Sequence, residues 1–155
     1  MVDSGATPSA PQIILAFDFG TRRIGVASGD SLTRTARELT TLSAARGTPW
    51  PEIDRLVGEY RPSQFVVGVP YNMDGTPTAL TKPARRFAVE IKARYSLPVA
   101  LVDERLSSVE ASAQIQAARS QGLKRRRASH ADIDRVAARI LLERWFSEPG
   151  AARNV

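Results

Sequence analysis

Residues 12–30 read QIILAFDFGTRRIGVASGD, and this stretch predicts how the fold begins. Its first part, QIILAFDF at 12–19, is rich in the β-branched and aromatic side chains that strands favour. The run ends at Gly20 and Thr21, and strand character resumes over 24–30. Two such runs joined by a short turn predict a β-hairpin at the start of a sheet.

The chain beyond this hairpin alternates between helix and strand patterns. A third strand is expected at 36–42, and short apolar runs predict buried strands at 65–70 and 97–102. Helical spacing of apolar residues predicts helices over 49–60, 79–95, 107–118 and about 131–146. This order predicts an α/β fold with a mixed five-stranded sheet flanked by helices. The expected domain spans 12–147, with a flexible leader at 1–11 and a flexible tail at 148–155.

Composition narrows the classes of function. The 155 residues include 22 Lys and Arg against 16 Asp and Glu, a net charge of +6 that favours an anionic partner. There is no cysteine and one histidine, His130, which excludes thiolate chemistry and disfavours zinc and triad hydrolases. The lack of cysteine is compatible with a reducing cytoplasm. No apolar run approaches the roughly 20 residues of a membrane span, so no membrane association is expected.

Asp18 is the most informative polar residue because it lies within an apolar strand. Period-two alternation places it on the same face as Ile14 and Ala16. A buried carboxylate needs hydrogen bonds, a cation or a metal ion to offset its desolvation. Backbone N–H groups at Gly20 and Thr21 could supply those hydrogen bonds, so the residue alone leaves a structural and a metal-binding interpretation open.

Helical geometry predicts different orientations for two aspartates near the start of the last helix, Asp132 and Asp134. At 100° per residue, Asp134 points the same way as Ala138 and Leu141 and therefore faces the core. Asp132 is expected to point toward Arg139 and Glu143 as a solvated carboxylate. With Ser129 as N-cap, it occupies the last position of an S-x-x-D helix start and is interpreted as structural.

Asp103 and Glu104 follow the strand at 97–102, where Asp18 and Asp134 could meet them. Such a cluster of hard oxygen ligands suits Mg²⁺ or Mn²⁺. Two such ions can activate water and stabilise the leaving oxygen of a phosphodiester without histidine or cysteine. For Glu104 read alone, a salt bridge with Arg105 is an equally good interpretation.

Four segments in chain order resemble the YqgF/RuvX family of RNase H-like proteins: IILAFDFGTRRIGVA, VVGVPYNMDGT, LVDERLSSVEA and IDRVAARILLERW. The resemblance covers about residues 12–147. It implies a nuclease for 5′-end maturation of pre-16S rRNA in the bacterial cytoplasm, with ribosomal precursor particles as partners. The alternative that it implies is a Holliday junction resolvase acting on four-way DNA. The family's motif acids correspond to Asp18 in DFGT, Glu104 in DER and Asp134 in IDRVAA, as catalytic metal ligands.

One position departs from the pattern that the resemblance implies. RNase H-like nucleases often carry an acid at the end of the fourth strand, where this sequence has Val69 and Pro70. Asp74 is the nearest candidate, although the Asp-Gly pair is typical of a turn. Asp103 and Arg105 are further candidates for orienting a ligand.

Cations near the expected acidic cluster predict a surface for nucleic acid. Phosphate contacts would position a backbone without reading its sequence and would make binding salt-dependent. A solvated loop is an equally good interpretation of the KRRR run. The candidate contacts are Arg22, Arg23, Asn72, Lys124, Arg125, Arg126 and Arg127.

Two other classes of function compete with the nuclease interpretation. The DFGT motif also resembles the phosphate-binding start of actin-like ATPases and sugar kinases, but those enzymes need a second domain and another glycine-rich loop. A nucleic-acid-binding module without catalysis is the other rival, and the retained acids argue against it. As an assembly state, we expect a monomer or a weak homodimer.

Overall fold

The computed structural model describes residues 12–103, 129–148 and 153–155. The elements, in chain order, are β1 (Ile13–Phe19), β2 (Arg23–Asp30), β3 (Thr35–Ser43), α1 (Trp50–Tyr60), β4 (Gln64–Val69), α2 (Thr81–Tyr95), β5 (Val99–Asp103), α3 (His130–Ser147) and β6 (Arg153–Asn154). The predicted helix at 107–118 lies outside these ranges. Among the described helices, none is long and apolar enough to cross a bilayer.

The strands form one mixed sheet in the order β3-β2-β1-β4-β5-β6. β1 pairs antiparallel with β2 and parallel with β4, which is itself parallel to β5. The predicted α/β class is confirmed, but the predicted count of five strands is wrong. The sixth strand is β6, which pairs antiparallel with β5 inside the segment expected to be a flexible tail. Two residues are too short to show an alternating pattern, and the open edge of β5 supplies the pairing.

The sheet is covered on both faces, and period-two alternation sorts its side chains between them. On one face, Leu15 and Phe17 of β1 pack with Phe65 and with Phe87 of α2. The opposite face of β1 presents smaller side chains to α3, with buried contacts among Ile14, Ala16, Ala27, Ala138 and Leu141. Each large side chain that is fully buried contributes roughly 1.5–3 kcal/mol to folding.

Two glycines of β2 allow α3 to lie unusually close to the sheet. A Cβ on Gly25 would fall 2.0 Å from the backbone oxygen of Asp134, and one on Gly29 would fall 2.7 Å from a methyl carbon of Leu142. Ala27, between them, is fully buried in the same interface. This track of small residues therefore sets how deeply the last helix is seated.

The start of α3 is fixed by hydrogen bonds that its sequence encodes. Ser129 and Asp132 form a reciprocal capping box, with both bonds 3.1 Å long. Arg135 pairs with the same aspartate at 2.5 Å, and the Thr41 hydroxyl donates to the carbonyl of Ala131 at 2.8 Å. The structural role predicted for Asp132 agrees with this, but its predicted solvation is wrong. Because the capping box folds its side chain onto the helix start, Asp132 is only 4% exposed.

Helices α1 and α2 are joined at the surface by a charged cluster. Asp54 accepts two hydrogen bonds from Arg94, at 2.9 and 2.8 Å, and one from the Tyr95 hydroxyl at 2.5 Å. The Arg94 guanidinium also lies 4.9 Å from the ring centroid of Trp50. The Arg94 and Tyr95 hydrogen bonds lower the pKa of Asp54 to about 2. The carboxylate is therefore held in its charged form well below neutral pH.

We expect Gly25→Ala to destabilise the fold by about 3 kcal/mol or more, because its methyl group would meet backbone rather than a flexible side chain. Gly58→Ala is a matched control. Gly58 lies within α1, and a Cβ added there would have no neighbouring atom within 4 Å outside the helix's own backbone. That control should stabilise the protein by roughly 0.5–1 kcal/mol. Urea denaturation measures both changes, and an equal effect at the two positions would contradict the close packing of α3.

The Asp54 cluster predicts a specific response to acid. Because its folded pKa is lowered, the charged form of Asp54 stabilises the fold above about pH 4, and that contribution is lost as the pH falls toward 2. In Asp54→Asn the free energy of unfolding should therefore fall less steeply over this range than in the wild type. Tyr95→Phe, which retains the arginine, should give an intermediate slope. Urea denaturation at several pH values measures the free energy of unfolding of each protein. If this free energy varied with pH in the same way in the wild type and in Asp54→Asn, the stabilising role of the Asp54 carboxylate would be contradicted.

Candidate active site

A cleft of about 350 Å³ opens at the C-terminal end of β1. Asp18, near the end of the apolar strand, lines this cleft together with the turn that begins at Gly20. Pro70 after β4 and Leu80 before α2 also line it. Asp134, from the first turns of α3, completes the described lining.

Strand register and the small size of Gly25 explain why two distant carboxylates share this cleft. Asp18 is paired with Gly25 across the β1–β2 ladder, and such partners have Cα atoms about 4.5–5.5 Å apart. The backbone of Asp134 rests directly on Gly25. Asp134 therefore lies on the sheet-facing side of α3, where its helical spacing predicts it, and it lines the same cleft as Asp18.

Arg23 gives the cleft an internal counter-charge. Its Nε donates to Oδ2 of Asp134 at 2.8 Å, with 37% of the arginine side chain and 22% of the aspartate side chain exposed. This pairing offsets part of the repulsion that two neighbouring carboxylates would otherwise feel. Arg22 also lines the cleft and is exposed, and its guanidinium forms no ion pair within the described part of the chain. The two adjacent arginines thus have different surroundings.

Asp103 lies away from the cleft, because alternation along β5 separates it from Asp18. Asp18 is level with Gly68 of β4, which is level with Val102 of β5, and Val102 packs on the face that α3 covers. Asp103 is the next residue and points to the other face, where it lines a second groove with Tyr71. Asp103 is therefore not placed with Asp18 and Asp134.

The loop after β4 contains two further candidates, and both make local contacts. Oδ1 of Asp74 accepts from the backbone N–H of Thr76 at 3.0 Å and from its hydroxyl at 2.6 Å. The Asn72 side-chain amide donates to the Thr76 hydroxyl at 2.9 Å. Gly75 has a φ of 89°, a conformation that glycine tolerates best. The observed contacts are those of an Asp-Gly turn.

Several predicted site residues fall outside the described ranges: Glu104, Arg105, Lys124, Arg125, Arg126 and Arg127. Among the residues that are described, no group of three Asp, Glu, His or Cys side chains is close enough to hold a metal ion. Asp18 and Asp134, two of the three predicted ligands, both line the cleft. Both are hard oxygen donors of the kind that Mg²⁺ and Mn²⁺ prefer, so the residues present fit such an ion.

Sequence reasoning missed Gly25, although its signal is present. Gly25, Ala27 and Gly29 alternate along one face of β2, and small residues at this spacing indicate that another element packs closely. It also missed the second groove, whose described lining includes Arg85 and Arg153. That groove combines residues from four separate segments, which no local pattern reveals.

The sheet order and the flanking helices define an RNase H-like fold, and comparison with a solved structure agrees. Thermus thermophilus RuvC, solved in complex with a Holliday junction substrate, matches with a TM-score of 0.50 at 15% identity, over 93% of this chain and 99% of that chain. At this identity the match shows the fold alone.

The family model of RuvX, described as Holliday junction resolvase, matches residues 12–148. Curated relatives named "Putative pre-16S rRNA nuclease" include proteins of Azotobacter vinelandii, 44% identical over 90% of this chain and 96% of the relative, and Yersinia pestis, 46% identical over 90% and 97%. A Nitrosococcus oceani relative of the same name is 43% identical over 96% of this chain and 95% of its own length. The chain belongs to the RuvX family, as its sequence motifs predict.

The two adjacent arginines allow a matched test of the site's electrostatics. Arg23→Ala should lower the free energy of unfolding by about 1 kcal/mol, because it leaves the half-buried Asp134 without its counter-charge. Arg22→Ala removes the same charge from an exposed position and should change stability by less than about 0.5 kcal/mol. Urea denaturation at low ionic strength measures both. If both variants lost the same free energy of unfolding, the Arg23–Asp134 ion pair would not contribute to stability beyond the effect of an exposed arginine.

Proposed function

We propose that this protein is a metal-dependent nuclease that hydrolyses phosphodiester bonds at the cleft between β1 and α3. The observation that carries the proposal is the convergence of Asp18 and Asp134 beside Gly25, in a cleft open to solvent. Two carboxylates held next to each other repel, and a divalent cation removes that cost. The nuclease names of the family and of its relatives support the same reading.

Asp18 and Asp134 would hold the ions, with Glu104 as the third ligand that the family resemblance implies. Bound Mg²⁺ or Mn²⁺, in a two-metal site, supplies an activated water and stabilises the leaving oxygen. The protein's part is to fix the ligands in place. Asp18 is held by strand pairing on both sides of β1, and Asp134 by the capped and tightly packed start of α3.

Arg23 and Arg22 have complementary roles in this proposal. Arg23 orients the Asp134 carboxylate through its 2.8 Å hydrogen bond. Arg22 lies exposed at the rim of the same cleft, where it can contact a phosphate next to the bond that is cut. The net charge of +6 further favours a polyanionic substrate.

We further propose that the substrate is pre-16S rRNA, cut during maturation of its 5′ end in the cytoplasm, with ribosomal precursor particles as partners. The names of the curated relatives support this choice. The second candidate is resolution of four-way DNA junctions, which the description of the matching family favours. Metal-assisted hydrolysis uses the same carboxylates for either substrate, so the two must be separated by assay.

The proposal is tested by Mn²⁺-dependent cleavage of labelled single-stranded RNA containing the pre-16S 5′ region and of a labelled four-way DNA junction. Asp18→Asn and Asp134→Asn should each reduce kcat at least about 100-fold, as expected when a group that stabilises transition-state charge is lost. The matched control is Glu59→Gln, an exposed acid on α1 that is remote from the cleft in sequence.

The control and the substrates give distinct outcomes. Wild type and Glu59→Gln should cleave equally, and chelation of the metal should stop both. If Asp18→Asn cleaves as fast as the wild type, the activity comes from a contaminant and the proposed site is wrong. Preference for RNA supports the rRNA assignment, whereas preference for the junction supports the second candidate.

A further inference from the structure

A second groove lies on the same edge of the sheet as the Asp18 cleft. It has a volume of about 380 Å³, and its described lining includes Val69, Tyr71, Arg85, Asp103 and Arg153. The two concavities are neighbours across the end of β4, because Pro70 lines the first while Val69 and Tyr71 line the second. Because Asp18 faces α3 and this groove lies on the α2 side, a nucleic acid strand bound in both would cross the edge of the sheet at the end of β4.

Strand register explains why the two arginines meet in this groove. Arg153 of β6 is paired with Leu101 of β5, and directly opposed residues on neighbouring strands share a face. Leu101 packs against the cluster that contains Phe87 of α2, and Arg85 lies on the same helix. Both guanidinium groups are thus brought to the α2 side of the sheet.

The described lining of the groove carries more positive than negative charge. Within the described ranges neither Arg85 nor Arg153 forms an ion pair, and Asp103 is the one acid among the described lining residues. Positive charge therefore exceeds negative charge by one among these residues. Tyr71 adds an aromatic ring, and cations combined with an aromatic side chain are how single-stranded nucleic acids are bound without sequence preference.

The border between the two concavities is firmly held. The Thr81 hydroxyl donates a hydrogen bond to the carbonyl of Pro70, and Thr81 is only 4% exposed. Arg153 is held by the backbone pairing of β6, and the following Val155 donates to the carbonyl of Val99 at 3.0 Å. These contacts preorganise the groove, which lowers the entropic cost of binding.

We propose that this groove binds the single-stranded nucleic acid that flanks the cleavage point, with Arg85 and Arg153 contacting phosphates and Tyr71 stacking on a base. The inference rests on the proposed nuclease function, because the bound strand is part of the substrate. Arg153 lies beyond residue 148, where the match to the family model ends. The C-terminal strand β6 thereby becomes part of the substrate-binding surface.

The test measures binding apart from catalysis, with the full chain in EDTA and fluorescein-labelled 12-nucleotide single-stranded RNA or DNA. Arg85→Ala/Arg153→Ala should weaken binding about tenfold. It should also reduce the slope of log K against log salt by about 1.4, because each phosphate contact to a single strand contributes about 0.7. The control, Arg55→Ala/Arg86→Ala, removes the same charge from exposed helix positions outside the groove and should leave the slope unchanged. RNA and DNA of one sequence show which backbone is preferred.

A second measurement distinguishes the role of the groove in binding from the role of the cleft in hydrolysis. Mn²⁺-dependent hydrolysis of bis(p-nitrophenyl) phosphate, a diester too short to span both, should be lost in Asp18→Asn and retained in the groove variant. Wild-type affinity in the groove variant, equal weakening in the control, or stronger binding of a blunt duplex would overturn the groove proposal and leave the nuclease proposal standing. If the wild type failed to hydrolyse bis(p-nitrophenyl) phosphate in the presence of Mn²⁺, the nuclease proposal would be overturned instead.

Discussion

The close contact between α3 and β2 is the constraint on which the rest of the structure depends. A helix that packs on a sheet is normally separated from the strand backbones by side-chain layers of both elements. Here Gly25 and Gly29 remove one of those layers, so the helix backbone touches the strand at Asp134. This contact covers one face of the sheet and also brings a helical carboxylate to the level of Asp18. Packing and site geometry are therefore set by the same residues.

Charge in the site is arranged so that the fold can tolerate it. Asp132 and Asp134 lie two residues apart on one helix, and each has an arginine, Arg135 and Arg23 respectively. The first aspartate is buried and caps the helix, whereas the second remains partly exposed to the cleft. The Asp132 carboxylate is occupied by its capping and arginine contacts, whereas part of the Asp134 carboxylate is open to the cleft. This difference separates the structural role of Asp132 from the metal-binding role that we propose for Asp134.

Sequence patterns predicted five of the strands and the three described helices, because long apolar elements with clear periodicity form them. The four motifs predicted the family. Sequence patterns failed where a feature depends on tertiary neighbours. The burial of Asp132 follows from its capping box and from Arg135, and β6 exists because β5 has an open edge. The position of Asp103 follows from strand alternation, which could have been applied to it as it was to Asp18. The third predicted ligand, Glu104, lies outside the described ranges and stays a prediction.

The contact between Arg23 and Asp134 spans 111 residues of sequence. Because α3 is the last helix among the described elements, a growing chain contains Asp18 and both strands that pair with β1 before Asp134 has been synthesised. The carboxylate pair is completed only once α3 has emerged and docked on β2. Copies in which α3 has not yet been synthesised therefore lack the proposed site.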